Sequence, residues 1–150
     1  REKAGRIFRP ARIQGLLIRA QAACALKRFK EAERCARAYR AVEPLDPYVH
    51  LLLARIAEHQ AQFARAARYY QDSLRLGLDS LEPLERLAKI CVKLAQKESI
   101  IRFIDARARG FQARIRRQHK GARRDRKGRS RHCALSHRIA RIMRATRALS

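Results

Sequence analysis

At 150 residues the chain is long enough for one ordinary domain with an appendage. Its 37 Lys plus Arg against 13 Asp plus Glu give a formal charge of +24, which bears on partners more than on fold. Apolar residues at 47% exclude a wholly disordered chain, and self-repulsion at this charge is relieved most simply by a bound polyanion. The longest apolar stretches, such as Leu51-Leu52-Leu53-Ala54, fall far short of the roughly 20 residues of a bilayer-spanning helix, so no transmembrane segment is expected.

Residues 1–12 are an arginine-rich lead-in (Arg1, Arg6, Arg9, Arg12) opening on Arg1 rather than methionine, as a processed product or a portion of a longer chain would. A remnant beside an organellar transit peptide would have this composition, although Glu2 and the shortness of the stretch speak against it. Four cysteines, Cys24, Cys35, Cys91 and Cys133, form no C-x-x-C pair and fit reduced thiols rather than a disulfide framework or a thiolate zinc site. His132, Cys133 and His137 offer three zinc ligands at most. With no second ligand pair at finger spacing, no metal and no other cofactor is expected.

Six helices follow in pairs, with first helices over residues 14–26, 48–60 and 83–95 and second helices over 30–42, 64–76 and 98–109. Each carries an apolar stripe too narrow to be buried alone, as in Leu53, Ile56 and Ala57 followed by Ala66, Ala67, Tyr70 and Leu74. The pairs repeat with a period of 34: Phe29 with Phe63, Ala32 with Ala66, Ala20 with Ala54 and then Ala88, Leu53 with Leu87. Alanine is the best helix former in any setting, but propensity alone does not generate a fixed phase; close approach of paired helices does.

On these residues the chain resembles the tetratricopeptide repeat family, with units at 13–46, 47–80 and 81–114. Ala20, Ala54 and Ala88 match the family's small residue in the first helix. Ala32 and Ala66 match the alanine of the second helix, Phe29 and Phe63 its aromatic, and Pro44 the closing proline. The third unit departs, with Lys97 at the aromatic position and Ile100 at the alanine position, and Gly77-Leu78 replaces the usual ending of the second. The resemblance implies an all-α solenoid of three helix pairs, curved so that the first helices line an inner groove. That lining would include Leu17, Gln21, Tyr48, Leu51, Leu52, Arg55, Arg86 and Lys89, with an apolar centre at Leu17, Leu51 and Leu52 contacting neighbouring protein subunits. The alternative is that Leu51 and Leu52 pack against the adjoining unit. Of the five positions with which some family members clamp chaperone carboxylates, here Leu17, Gln21, Leu52, Glu82 and Arg86, only Arg86 matches, which disfavours a chaperone adaptor.

Charge is concentrated at the far end. Residues 107–150 hold 16 Lys plus Arg and one acid, Asp125; residues 1–106 hold 21 basic and 12 acidic side chains. Residues 115–150 therefore divide into a basic arm and a terminal helix. Arg114, Arg116, Arg117, Lys120, Arg123, Arg124, Arg126, Lys127, Arg129 and Arg131 crowd a stretch with two glycines and almost no large apolar residue, which cannot bury enough surface to fold alone. Arginine's planar fork suits phosphate, so these ten are the candidate RNA-phosphate contacts, although an arginine-rich genome would give the same excess over lysine. Beyond them Leu135, Ile139, Ile142, Met143 and Leu149 share a helical face flanked by Arg138, Arg141, Arg144 and Arg147. Such a helix caps the last repeat, rests on an anionic membrane or docks on a partner. No Trp, Phe or Tyr follows Phe111, which removes the usual membrane anchor and the usual base-stacking platform.

Glycine-rich phosphate loops, G-x-S-x-G and H-E-x-x-H are all missing, and Glu82 with Glu85 reads as helix-surface carboxylates, so neither an enzyme nor a small-molecule substrate is expected. Two functions remain. One is a structural subunit of a large ribonucleoprotein, resembling repeat proteins of organellar ribosomes, whose arm binds RNA, ribosomal RNA in particular, and whose compartment is expected to be mitochondrial, with cytoplasm or nucleus as the alternative. The other is a protein-only adaptor whose groove takes a peptide and whose tail meets an acidic protein or membrane surface.

Overall fold

The apolar stripes are realised as α-helices, with no strand among the described residues. The structure is a computed structural model that describes the backbone of residues 9–94, 97–121 and 126–149 and the side chains of 13–94, 97–118 and 133–149. Its helices are α1 (Arg9–Ala25), α2 (Phe29–Val42), α3 (Pro47–His59), α4 (Phe63–Arg75), α5 (Glu82–Cys91), α6 (Glu98–Gly121) and α7 (Arg126–Arg147). The chain divides into two compact units, residues 1–79 and 80–150.

In the first unit α1 pairs with α2 and α3 with α4, while α3 also packs on α2 and touches α1. The small residues of the 34-residue phase sit where helices meet: Ala20, Ala32, Ala54 and Ala66 have no exposed surface at all. Around them Ala23, Cys35, Ala36, Tyr39, Val49, Leu52, Leu53 and Ile56 form one core, with Leu16, Leu17, Phe29 and Tyr69 packed against its edge.

The period extends to the backbone. Arg28 N–H donates to the Ala23 carbonyl at 2.8 Å and Lys27 N–H to Cys24 at 3.0 Å; 34 residues on, Gln62 N–H donates to Ala57 at 2.9 Å and Ala61 N–H to Glu58 at 3.0 Å. These are the paired 6→1 and 5→2 bonds of a Schellman stop, and they place Lys27 and Ala61 in the left-handed region at φ 59° and 58°. A third stop of this kind ends α4, where Gly77 takes φ 93°. Asp46 begins α3 by accepting the Tyr48 N–H at 2.8 Å, ahead of a proline in the first turn.

In the second unit α6 packs on α5 and α7, and α5 also meets α7. Ile101, Ile104, Ala108 and Phe111 form the buried stripe of α6; Ile139, Ile142 and Thr146 form that of α7. Thr146 Oγ1 donates to Asp105 Oδ1 at 3.0 Å, tying α7 to α6 through a polar pair inside the helix contact.

Three boundaries differ from expectation. Helix α1 already includes Arg9, inside the stretch expected to be a lead-in; residues 1–8 lie outside the described residues. Helix α5 stops at Cys91 because Lys93 and Leu94 N–H groups turn back to Ile90 and Cys91, tightening the last turn. Helix α6 continues to Gly121, so the boundary placed at 114 falls inside a helix. The segment does not have to fold alone: its N-terminal half is anchored, Phe111 keeps the buried stripe going past Gly110, and Arg, Ala and Gln beyond are good helix formers. The second helix of the third unit begins at Glu98 as expected, whereas those of the first two begin at Phe29 and Phe63; Ile101 N–H bonds Lys97 where Ala32 and Ala66 N–H groups bond Arg28 and Gln62, so the 34-residue register slips by one.

Candidate nucleic-acid interface

One face of α6 is buried, and the outer face is left to Arg102, Arg109, Arg114, Arg116 and Arg117, all exposed. Two of the helix's arginines are held by aromatic rings. The Arg107 guanidinium lies 5.6 Å from the Phe103 ring centroid and that of Arg114 lies 4.5 Å from Phe111, contacts that orient a guanidinium without neutralising it. The acids of α6 are Glu98, in its first turn where the helix dipole favours negative charge, and Asp105, which accepts from Thr146. Beyond Asp105 the helix carries only cations.

The cations of the first unit are placed differently. Glu33 accepts from Arg37 at 2.7 Å and from Arg65 at 2.8 Å, Glu31 has Arg19 at 3.6 Å, and Asp72 has Arg75 at 3.3 Å. Arg40 and Arg65 flank the Tyr69 ring at 5.6 and 5.8 Å. Self-pairing of this kind dissipates the field of that unit locally.

On α7, Arg138, Arg141, Arg144 and Arg147 are exposed. Arg138 makes a bidentate pair with Glu85 of α5, Nε to Oε1 at 2.7 Å and an Nη to Oε2 at 2.9 Å. That guanidinium, with lesser help from Lys89 and Arg141, holds the Glu85 carboxyl below its ordinary range. Between α5 and α7 lies a groove of about 380 Å³ with an apolar floor of Ala88, Val92, Ile142, Ala145 and Leu149 and a rim of Glu85, Lys89, Arg138 and Arg141.

Of the ten arm cations, Arg114, Arg116 and Arg117 lie on α6 with exposed side chains. The backbone of Lys120 continues α6, and those of Arg126, Lys127, Arg129 and Arg131 belong to α7, with side chains outside the described residues. Arg123 and Arg124 lie wholly outside them. Arg102 and Arg109, on the same helix face as Arg116, belong with these candidates; their seven-residue spacing was the available signal.

The residues expected to line the groove differ in exposure. Leu52 is in the core, Leu17 packs against it, and Leu51 is 8% exposed. Gln21 and Tyr48 are exposed and Arg55 is half-buried in the first unit; Arg86 and Lys89 are exposed on α5 of the second.

His137 Nδ1 lies 2.8 Å from the Cys133 carbonyl oxygen, which can only accept, so that nitrogen carries a proton and is not disposed to bind a metal. Among the described residues no three His, Cys, Asp or Glu side chains converge as metal ligands, and no helix is long and apolar enough to cross a membrane. Compared with protein-family models, curated proteins and solved structures, the chain matches none.

Proposed function

We propose that the chain is a non-enzymatic structural subunit of a large ribonucleoprotein, of the organellar-ribosome kind and mitochondrial. Three tetratricopeptide-like helix pairs contact neighbouring protein subunits, and the basic C-terminal segment binds RNA phosphates, ribosomal RNA in particular. The observation that carries this reading is the charge of residues 107–150, 16 cations to one anion, together with the exposure of Arg109, Arg114, Arg116 and Arg117 on α6 and of Arg138, Arg141, Arg144 and Arg147 on α7. A field of that sign and density collects polyanions, and nucleic acid is the polyanion whose phosphates match guanidinium geometry.

Salt dependence tests it. If about eight cations neutralise RNA phosphates, log affinity falls against log salt with a slope near −6. A slope near zero refutes the reading. Nuclease treatment of the native assembly is the complementary test, since only an RNA-bound subunit is released by it.

A second reading, a protein-only adaptor, is favoured by the apolar-floored groove between α5 and α7, which suits a segment of another protein. Recovery of the chain free of nucleic acid and in a stable protein complex at low salt decides for it.

A further inference from the structure

Arg102, Arg109 and Arg116 follow one another at intervals of seven residues along α6. Seven residues are close to two helical turns, so the three side chains leave the helix nearly in line, each about 10 Å further along the axis. All three are exposed, and none shares an ion pair or hydrogen bond with a described residue. The opposite face is fixed by the burial of Ile104, Ala108 and Phe111, so the line is held by packing before any ligand arrives.

We infer that Arg102, Arg109 and Arg116 form a preformed cationic ladder for the phosphate backbone of double-stranded RNA, an inference that rests on the ribonucleoprotein reading above. The choice of duplex follows from what the ladder lacks. Proteins hold unpaired bases largely by stacking them on aromatic faces. On α6 Phe111 is buried under Arg114, and Phe103 is half-buried beside Arg107. No Phe, Tyr or Trp occurs on α7. A single strand would find phosphate contacts here but no fully exposed Phe, Tyr or Trp face for its bases. A duplex has its bases stacked inward already and presents phosphates and 2′-hydroxyls along a stiff edge, which a straight row of guanidiniums can follow. Because the helix is formed beforehand, binding does not have to order it, unlike a segment that folds on contact.

The test uses the full chain and a triple variant, Arg102→Gln with Arg109→Gln and Arg116→Gln, titrated with an RNA duplex of about twenty base pairs and with one of its single strands over a range of salt. The parent is expected to favour the duplex. The triple variant is expected to lose at least about tenfold in duplex affinity at low salt, with a salt slope shallower by about 2 to 3, as three lost phosphate contacts require. Glutamine is nearly as good a helix former as arginine, so the variant's far-UV circular dichroism and melting temperature should match the parent's. RNA should also leave the parent's helical signal unchanged. An unaltered affinity and slope in the triple variant overturns the ladder; loss of binding in a second variant, with Arg123, Arg124, Arg126 and Lys127 changed to Gln, would then leave the ribonucleoprotein reading standing on the arm alone. Equal or better binding of the single strand, a gain of helix on binding, or displacement of the duplex by polyglutamate at equal charge also overturns it. Failure of the parent to bind either RNA overturns the ribonucleoprotein reading with it.

Discussion

Arg138 and Glu85, 53 positions apart in sequence, meet through two hydrogen bonds of 2.7 and 2.9 Å and join the middle of α7 to the first turns of α5. Their side chains keep 45% and 31% of their exposure, so the pair is partly screened by water, and coupling of about 0.5 to 1 kcal/mol is expected from a double-mutant cycle of Arg138→Gln and Glu85→Gln. The Glu85 carboxyl titrates below its ordinary value of 4.5 because Arg138 stabilises its charged form. Its contribution is therefore complete above that value and is lost as pH falls through the lower folded-state value. In acid unfolding curves, Glu85→Gln should flatten this limb, and a curve superimposing on the parent's would show the pair to be energetically silent.

Tyr39 behaves in the opposite sense. Its hydroxyl donates to Asp46 Oδ2 at 2.7 Å, and that bond, with burial and the nearby Asp46 and Glu43 charges, pushes its pKa from 10.0 to about 12. The stabilisation is complete below pH 10 and disappears as pH rises through about 12. A titration of phenolate absorbance should contain a component near pH 12, and Tyr39→Phe should remove the Tyr39 share of it.

The helix stops at Lys27 and Ala61 place side-chain-bearing residues at φ 59° and 58°, where the Cβ crowds the following carbonyl. Ala61→Gly should relieve this and raise stability by roughly 0.5 to 1 kcal/mol, read as a higher urea midpoint. Gly77→Ala should cost about as much, although a Cβ there would meet nothing within 4 Å, because φ 93° itself is unfavourable for alanine.

Ala54 has no exposed surface and recurs in phase with Ala20. Ala54→Leu should overpack the first unit and destabilise it by about 1 to 3 kcal/mol in thermal or urea unfolding.

The legible part of this fold was the part written in side-chain size. Alanines in fixed phase gave the helices of the first unit to within a few residues, since a Cβ is all that separates two close helices. The stops at Lys27 and Ala61 were illegible because a lysine or an alanine in the left-handed region leaves no mark of the kind a glycine does. Nothing local in the sequence marks Thr146 as buried, because its partner Asp105 lies 41 residues away. The reach of α6 was hidden by its own arginines: charge density suggests an extended arm, yet one buried row, ending in Phe111, is enough to carry a helix beneath them. Of the candidate interface, the cationic segment could be found from composition, whereas the alignment of Arg102 and Arg109 with Arg116 emerges only once the helix is known to run unbroken.

The two matching stops in the first unit bear on how it folds. Each closes a hairpin between helices through contacts only a few positions apart, so little chain entropy is spent before the first favourable interactions form. The hairpins on either side of residue 46 are near-equivalent starting points. Amides at 28 and 62 should then acquire hydrogen-exchange protection together, with neither hairpin waiting for the other as a template.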